Sequence, residues 1–457
     1  MTPLWTASAL RAATGGTLAG EANVTGVAID SRAVQPGDLF VALRDARDGH
    51  DFAPAALAQG AATAMVDRAV DGAPLLMVGD TLAGLAALGA AGRARSTARI
   101  VAVTGSVGKT TTKDMLRHGL QGFGAVHAAV ASYNNQWGLP LTLARMPQAA
   151  EFGVLEIGMN HRGEIAPLAR LAAPHAAVIT QIGAAHIGHL GSLAEIAAEK
   201  ADILAGLAPG GVAVLPRDSE FFSMLAARAA EAGATVLSFG EHAQADIRLL
   251  RAECGPLSST AEIAVRGAAM ALRLGAPGRH LVLNALAATG GALALGADAA
   301  RFVQALAEFR PGAGRGARVA LPLAGGGEAL LLDESYNGQP PAMRAALAVL
   351  GTQRAARRIA VLGDMRELGE HGPALHAGLL PDVLGNADLV FCCGPLMRAL
   401  SDALPGGLRG GWAETSEALA PVVRDALRDG DVVLVKGSLG TRMAAVVGAL
   451  MSQGAHS

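Results

Sequence analysis

Ile100-Val101-Ala102-Val103-Thr104-Gly105-Ser106-Val107-Gly108-Lys109-Thr110-Thr111-Thr112 is an apolar run that breaks into a glycine turn and then into a helical pattern through Lys113, Met115 and Leu116. A strand, a glycine turn and a helix in that order form the repeating unit of a parallel sheet. The glycines let backbone N–H groups close around phosphate oxygens, and the new helix N-terminus adds its positive end. On this reading Thr104, Gly105, Ser106, Val107, Gly108, Lys109, Thr110 and Thr111 form a nucleotide loop. Lys109 reaches the β- and γ-phosphates and Thr110 holds Mg²⁺. The spacing is GxxGKT, shorter than the standard GxxxxGKT. The bland alternative is a structural turn with a surface lysine.

The same grammar recurs on either side. Phe152 to Ile157 runs into Gly158-Met159-Asn160, and Ala176 to Gln181 into Ile182-Gly183. Further on, Ile359-Ala360-Val361-Leu362 meets Gly363-Asp364, Leu389-Val390-Phe391 meets Cys392-Cys393-Gly394, and Val432 to Val435 meets Lys436-Gly437-Ser438. Continuously apolar strands alternating with helices predict an α/β fold with parallel sheets covered on both faces. Ligands then bind beyond the carboxyl ends of the strands. The first hundred or so residues read differently, as a small mixed region. Polar joints are expected near Arg93 to Arg99 and near Arg310 to Gly316, and a hairpin around Gly255-Pro256. The expected division is therefore 1–97, 98–311 and 312–457.

Composition narrows the function classes. With 457 residues about three domains are expected. A net charge of −2 leaves no footprint for nucleic acid or an anionic membrane. Three cysteines, two of them adjacent, make no disulfide framework or zinc spacing and fit a reducing, cytoplasmic compartment. The apolar stretch LVLNALAATGGALALGA from Leu281 carries Asn284 and falls short of a usual membrane span. A buried helical pair is expected there. His186 and His189 form HxxH without the glutamate of HExxH, which argues against a zinc protease.

Other strand-end residues are candidates. Glu156 can coordinate Mg²⁺ on a bound nucleotide, or it is only a charge at a helix start. Asp333, in Leu332-Asp333-Glu334-Ser335-Tyr336-Asn337, can accept from ribose hydroxyls, although Asn-Gly and Pro-Pro also make turns. Lys436 can serve an anion or simply cap the strand. Lys200, alone on a helical pattern, reads as a solvated surface residue.

Taken together and in this order, the motifs resemble those of the Mur ligases. The resemblance runs from Asp30-Ser31-Arg32, through GDLFVAL (37–43) and DGHDF (48–52), to TGSVGKTTTK, Asn134-Asn135 and GLPLTL (138–143). EIGMN, AHIGHLGS, the Lys200 helix, DESYN, GDMRELG and VKGS follow. It implies a small N-terminal UDP-substrate domain, a central P-loop ATPase-like domain with a mainly parallel sheet, and a C-terminal Rossmann-like domain. It also implies an ATP- and Mg²⁺-dependent amide-bond ligase of peptidoglycan precursor synthesis, working through an acyl phosphate. The pattern is most similar to the members that join D-alanyl-D-alanine to a UDP-N-acetylmuramoyl-tripeptide. Ser31, Arg32, Asn135 and Lys436 are then expected at the substrates, and Asn284, Arg315, Asp333 and Asn337 at the nucleotide. Glu156 and His186 match metal-site residues, and Lys200 matches a lysine carried as a carbamate that helps hold a second Mg²⁺. A monomer without a membrane span is expected.

Two positions depart from the pattern: Leu281 stands where the family has an adenine-side asparagine, and Asp202 where it has a glutamate. Members that add the third amino acid carry Asp-Asn-Pro-Arg, which this chain lacks. Folylpolyglutamate synthases lack the N-terminal DSR and GDLFVAL region. A nucleotide-dependent switch without ligation would keep the loop but would not need the C-terminal strand-end sites.

Overall fold

The computed structural model describes residues 3–129, 132–323 and 325–452. Three sheets of five or more strands follow one another along the chain, with a two-stranded ladder of Trp5–Thr6 and Asn23–Val24 beside the first. The first has five strands in the order Thr17–Leu18, Leu75–Met77, Thr63–Val66, Asp38–Val41, Gly26–Ala28, parallel except for the short Thr17–Leu18. The second has nine. Val126–Ala128, Phe152–Glu156, Arg99–Thr104, Ala176–Ile179, Val212–Pro216, Thr235–Gly240 and Ile247–Cys254 run parallel. Ser259–Val265 and Ala268–Leu274 extend the sheet antiparallel. The third has six, in the order Ala317–Pro322, Glu328–Glu334, Val432–Lys436, Arg358–Gly363, Leu389–Cys393, Arg409–Ala413, parallel except for the first.

Side chains alternate across a strand, so an all-apolar strand needs cover on both faces. In Arg99–Thr104, Val101 and Val103 enter one core with the helices Lys109–Leu120 and Arg279–Ala294. Ile100 and Ala102 enter the other with Ile165–Ala172, Leu193–Ala201 and Phe222–Glu231. The third sheet is likewise covered on both sides.

The stretch from Leu281 corrects the expectation of a helical pair. It is one buried helix, Arg279–Ala294, lying on the central sheet, and Ala299–Ala305 is separate. Among the described residues no helix is long and apolar enough to cross a membrane. The hairpin around Gly255-Pro256 is present as Ile247–Cys254 paired with Ser259–Val265.

The joint after the first sheet is a clamp rather than a free linker. Arg93 donates to the carbonyls of Ala172 and Ala173 at 2.8 and 3.0 Å. Arg95 reaches Leu4 O and Met146 O and lies 3.6 Å over the Trp5 ring. Gly89 and Gly92 let the helix Thr81–Ala94 press onto the backbone of Gly138–Ala144, where a Cβ would collide with Pro140 and Leu143.

Candidate active site

The glycine loop sits at the carboxyl end of Arg99–Thr104, an interior strand third from one edge of the central sheet. Its shape is pinned from behind. Ser106 N donates to Gln181 O at 2.7 Å, Ser106 Oγ donates to Gly183 O at 2.9 Å, and Thr180 Oγ1 donates to Val107 O at 2.6 Å. Gly105 has a φ of +144°, and a Cβ there would run into the Thr180 hydroxyl. Gly108 has a φ of +84° and directly precedes the helix Lys109–Leu120, which has no side-chain cap. An uncapped helix start leaves N–H groups free for an anion.

Two adjoining cavities open at this loop, sharing Val107, Gly108, Arg315 and Asn337 in their walls. The first, about 360 Å³, has mixed walls, with Ile182, Pro216, Phe221, Phe239, Leu281 and Pro341 among the apolar residues. Its polar groups include Thr111, His280, Asn284, Glu334 and Lys436. Burial holds His280 below its ordinary pKa, which favours the neutral ring. Lys436 donates to the Glu334 carboxylate at 3.1 Å and to Asn337 O at 2.9 Å.

The second cavity, about 510 Å³, is polar. Lys109 lines it and donates to Gly105 O at 2.8 Å. Burial lowers the Lys109 pKa, partly opposed by Glu156. The buried Glu156 carboxylate accepts from Thr110 Oγ1 on one oxygen and from Asn134 Nδ2 on the other, both at 2.7 Å. Arg315 donates to Ser132 Oγ at 2.7 Å and stacks 4.2 Å from the Tyr336 ring centroid. Across the cavity, a His186 ring nitrogen lies 2.5 Å from the Glu367 carboxylate. This contact pulls Glu367 below the usual carboxylate range. Both residues hold positive φ, +63° and +66°. Gly188 N donates to Glu367 O beside them, tying the central unit to the C-terminal one.

Lys200 is fully buried. Its Nζ lies 3.0 Å from Met159 Sδ, a weak acceptor, and Met159 also lines the second cavity. Burial, reinforced by the nearby Lys109 charge, holds the Lys200 pKa well below its ordinary value. Neither neighbouring carboxylate answers it. Glu199 accepts from Gly163 N and Ile165 N, and Asp202 pairs with Arg228 at 3.1 Å. Lys200 is therefore not the solvated residue its bare helical setting suggests.

Most of the residues named from sequence come together here. Ser106, Val107, Gly108, Lys109, Thr110, Asn135, Glu156, His186, Arg315 and Asn337 line the second cavity, and Thr111, Asn284 and Lys436 the first. Thr104 and Gly105 lie behind the loop and line neither. Asp333 turns away from the first cavity: its oxygens accept from Gly314 N, Ser335 N and Ser335 Oγ, and its neighbour Glu334 faces the cavity instead. Ser31 and Arg32 stand apart in the first unit, on a short turn where Arg32 pairs with Asp30 at 2.7 Å. Arg315 faces the site, while the nearby Arg318 bonds Pro256 O and Gln353. Asn134, Tyr336, Glu334 and Arg366 were not singled out. All four sit inside motifs already quoted, but which neighbour faces a cavity is not written in the motif.

Comparisons with known proteins agree with this layout. Residues 23–91 match the family model for the Mur ligase family, catalytic domain; 103–292 match the Mur ligase middle domain; 323–439 match the Mur ligase, glutamate ligase domain. The UDP-N-acetylmuramoyl-tripeptide–D-alanyl-D-alanine ligase of Synechocystis is 35% identical, covering 95% of this chain and 94% of the relative. The Escherichia coli ligase of the same name is 34% identical over 94% of each. A crystal structure of MurF from Acinetobacter baumannii superposes with a TM-score of 0.85 at 30% identity, covering 98% of this chain and 99% of that one. MurF from Thermotoga maritima, in complex with ADP, gives 0.78 at 27% identity over 94% and 97%. With relatives this similar along nearly its whole length, the chain belongs to the Mur ligase family.

Proposed function

We propose that this chain uses ATP to join D-alanyl-D-alanine to the terminal carboxylate of a UDP-N-acetylmuramoyl-tripeptide, in the cytoplasm, as a monomer supplying peptidoglycan synthesis. The observation that carries the reading is the pair of joined cavities at the glycine loop, one nucleoside-sized with mixed apolar and polar walls, the other more polar and lined by Lys109. The names of the similar ligases and the ADP in the Thermotoga relative support it. The working division is 1–97 for the UDP substrate, 98–311 for ATP and 312–457 for the Rossmann-like unit.

The nucleoside occupies the first cavity beside Asn284, with Glu334, rather than Asp333, turned to the ribose. Its phosphates lie over Ser106 to Thr111, with Arg315 and Asn337 at the join. A carboxylate oxygen of the tripeptide attacks the γ-phosphorus, and ADP leaves. The dipeptide amine, losing a proton, then attacks the acyl carbon, and phosphate leaves. Lys109 neutralises charge as the phosphoryl group moves. Walls drawn from two units hold both reactants in one place and keep water from the acyl phosphate. Ser31 and Arg32 hold the UDP moiety, Asn135 the tripeptide side, and Lys436 an anionic group beside Glu334.

The donors fit Mg²⁺, which takes oxygen ligands. Thr110 and Glu156 would hold one ion, and a carbamate on Lys200 would help hold a second. Bound there, the metal would offset the negative charge of the phosphates. The carbamate needs a neutral amine, and the burial of Lys200 among engaged carboxylates supports one.

The test is phosphate release measured with each substrate alone and together, with the product identified by mass. Release that requires both substrates supports ligation. Turnover of ATP without either would support a nucleotide switch instead.

A further inference from the structure

The polar cavity holds several basic side chains, and all but one have partners. Lys109 is bonded to Gly105 O, Arg315 to Ser132 and the Tyr336 face, and His186 lies against Glu367. Arg366, in the GDMRELG motif, is the exception. Its guanidinium has no hydrogen bond or ion pair among the described residues, although it lines the cavity. The carboxylates around it are engaged elsewhere: Glu367 with His186, Glu164 with Asn160 N and His161, Glu156 with Thr110 and Asn134.

Its base is rigid and its head has room. Arg366 N donates to Ser438 Oγ at 2.9 Å, Ser438 N donates to Asp364 O at 3.0 Å, and Thr441 Oγ1 donates to the same carbonyl at 3.1 Å. The Asp364 carboxylate is fixed in turn by Met397 N at 2.7 Å. Gly440 lies under the side chain: a Cβ there would stand 3.0 Å from Arg366 Nη1 and 3.2 Å from Cζ. The bare glycine leaves a flat seat for the guanidinium on the cavity wall.

An unpaired guanidinium fork suits a carboxylate, which it binds through two parallel hydrogen bonds. Resting on the ligation proposed above, the incoming dipeptide brings one such group, its C-terminal carboxylate, at the far end from the amine that must attack. Two residues span about 7 Å when extended, and Arg366 and Lys109 line the same cavity. We infer that Arg366 binds the C-terminal carboxylate of the incoming dipeptide, and so fixes the direction in which its amine is presented.

The experiment compares wild type, Arg366→Met and Arg366→Lys on D-alanyl-D-alanine and on its C-terminal amide. Arg366→Met should raise the KM for the dipeptide about 10- to 100-fold, the range of a lost hydrogen bond to a charged group. The KM values for ATP and the UDP-tripeptide should stay put. Arg366→Lys should fall between, keeping the charge but losing the fork. Wild type should lose a comparable factor on the amide, and Arg366→Met should no longer distinguish acid from amide. Arg366→Met that still prefers the free acid as strongly as wild type overturns the inference, as does a rise in KM for ATP or the UDP-tripeptide instead. Failure of wild type to ligate the dipeptide at all would count against the proposed function itself, a separate outcome.

Discussion

Replacing Gly108 by alanine adds one methyl group at the point where the loop becomes a helix. Two separate costs follow from the structure. The first is conformational: the residue holds a φ of +84°, where an L side chain costs about 1–2 kcal/mol. For a unit the size of the central one, that lowers the thermal midpoint by roughly 2–8 °C. The second is a contact. The new Cβ would stand 2.5 Å from Asn284 Oδ1, whereas carbon and oxygen ordinarily meet at about 3.3–3.6 Å. Asn284 must retreat by about 1 Å, out of its place in the nucleoside cavity. Losing one neutral hydrogen bond, about 0.5–1.5 kcal/mol, corresponds to roughly a 2- to 10-fold rise in the KM for ATP. The double variant Gly108→Ala/Asn284→Ala separates the two costs. Its KM for ATP should equal that of Asn284→Ala alone, because the displaced group is already gone, while the midpoint should stay low. Scanning fluorimetry and ATP titration of all four proteins read both effects. Full recovery of wild-type stability in the double variant would refute the conformational argument. Additive changes in KM would refute the contact.

Other expectations are more direct. Lys109→Ala should lower ligation at least about 100-fold, by analogy with a lost electrostatic donor, with an unchanged melting midpoint; near-normal ligation by the folded variant contradicts the assignment. Lys200→Ala should be nearly inactive and partly rescued by acetate, and ¹³C-bicarbonate should give a carbamate resonance in wild type only; full activity in Lys200→Arg would remove the carbamate from the scheme. Because burial lowers the Lys200 pKa, the unfolded chain binds more protons there than the folded one. Stability of the carbamate-free protein should therefore rise with pH from the depressed folded value up to the ordinary 10.5, and Lys200→Met should flatten that slope. A slope identical in the two proteins would mean the lysine is solvated. Arg32→Ala should raise the KM for the UDP-tripeptide and spare that for ATP; equal changes would make the residue structural. The same change should let Asp30, which the Arg32 contact holds at about 2, drift up toward ordinary carboxylate behaviour.

The parallel part of the central sheet was legible because strands such as Arg99–Thr104, Phe152–Glu156 and Ala176–Ile179 are apolar at nearly every position, and only a doubly covered parallel sheet buries both faces of such a strand. The loop was legible because glycine at positive φ followed by GKT leaves little else for the backbone to do. What escaped was orientation. Asp333 and Glu334 are both acidic and adjacent at a strand end, and alternation sends them to opposite sides. Which one meets the cavity depends on Gly314 N being there to take the other. Lys200 was opaque for a related reason. One helical lysine in a row of small residues has no local mark of burial, and only the packing of Leu193–Ala201 against the central sheet seals it from water. The helix from Leu281 was misjudged because paired glycines look like a break. Here Gly290 and Gly291 are flat places where it lies close to Val214 and Leu116.

Val107 and Gly108 come from one unit and Arg315 and Asn337 from another, yet all four wall both cavities. Binding there and the mutual arrangement of the two units are thus thermodynamically linked. Whatever factor a nucleotide contributes toward holding the units together, the contacts that hold them together return to nucleotide affinity by the same factor. The His186–Glu367 contact, which lies outside the nucleoside cavity, then sets an apparent dissociation constant by setting the fraction of molecules with both walls in place. A compound that fits only the central wall gains nothing from that equilibrium. One that bridges both walls shifts the whole population toward the joined form, and its potency will follow substitutions at the seam as closely as substitutions in the pocket.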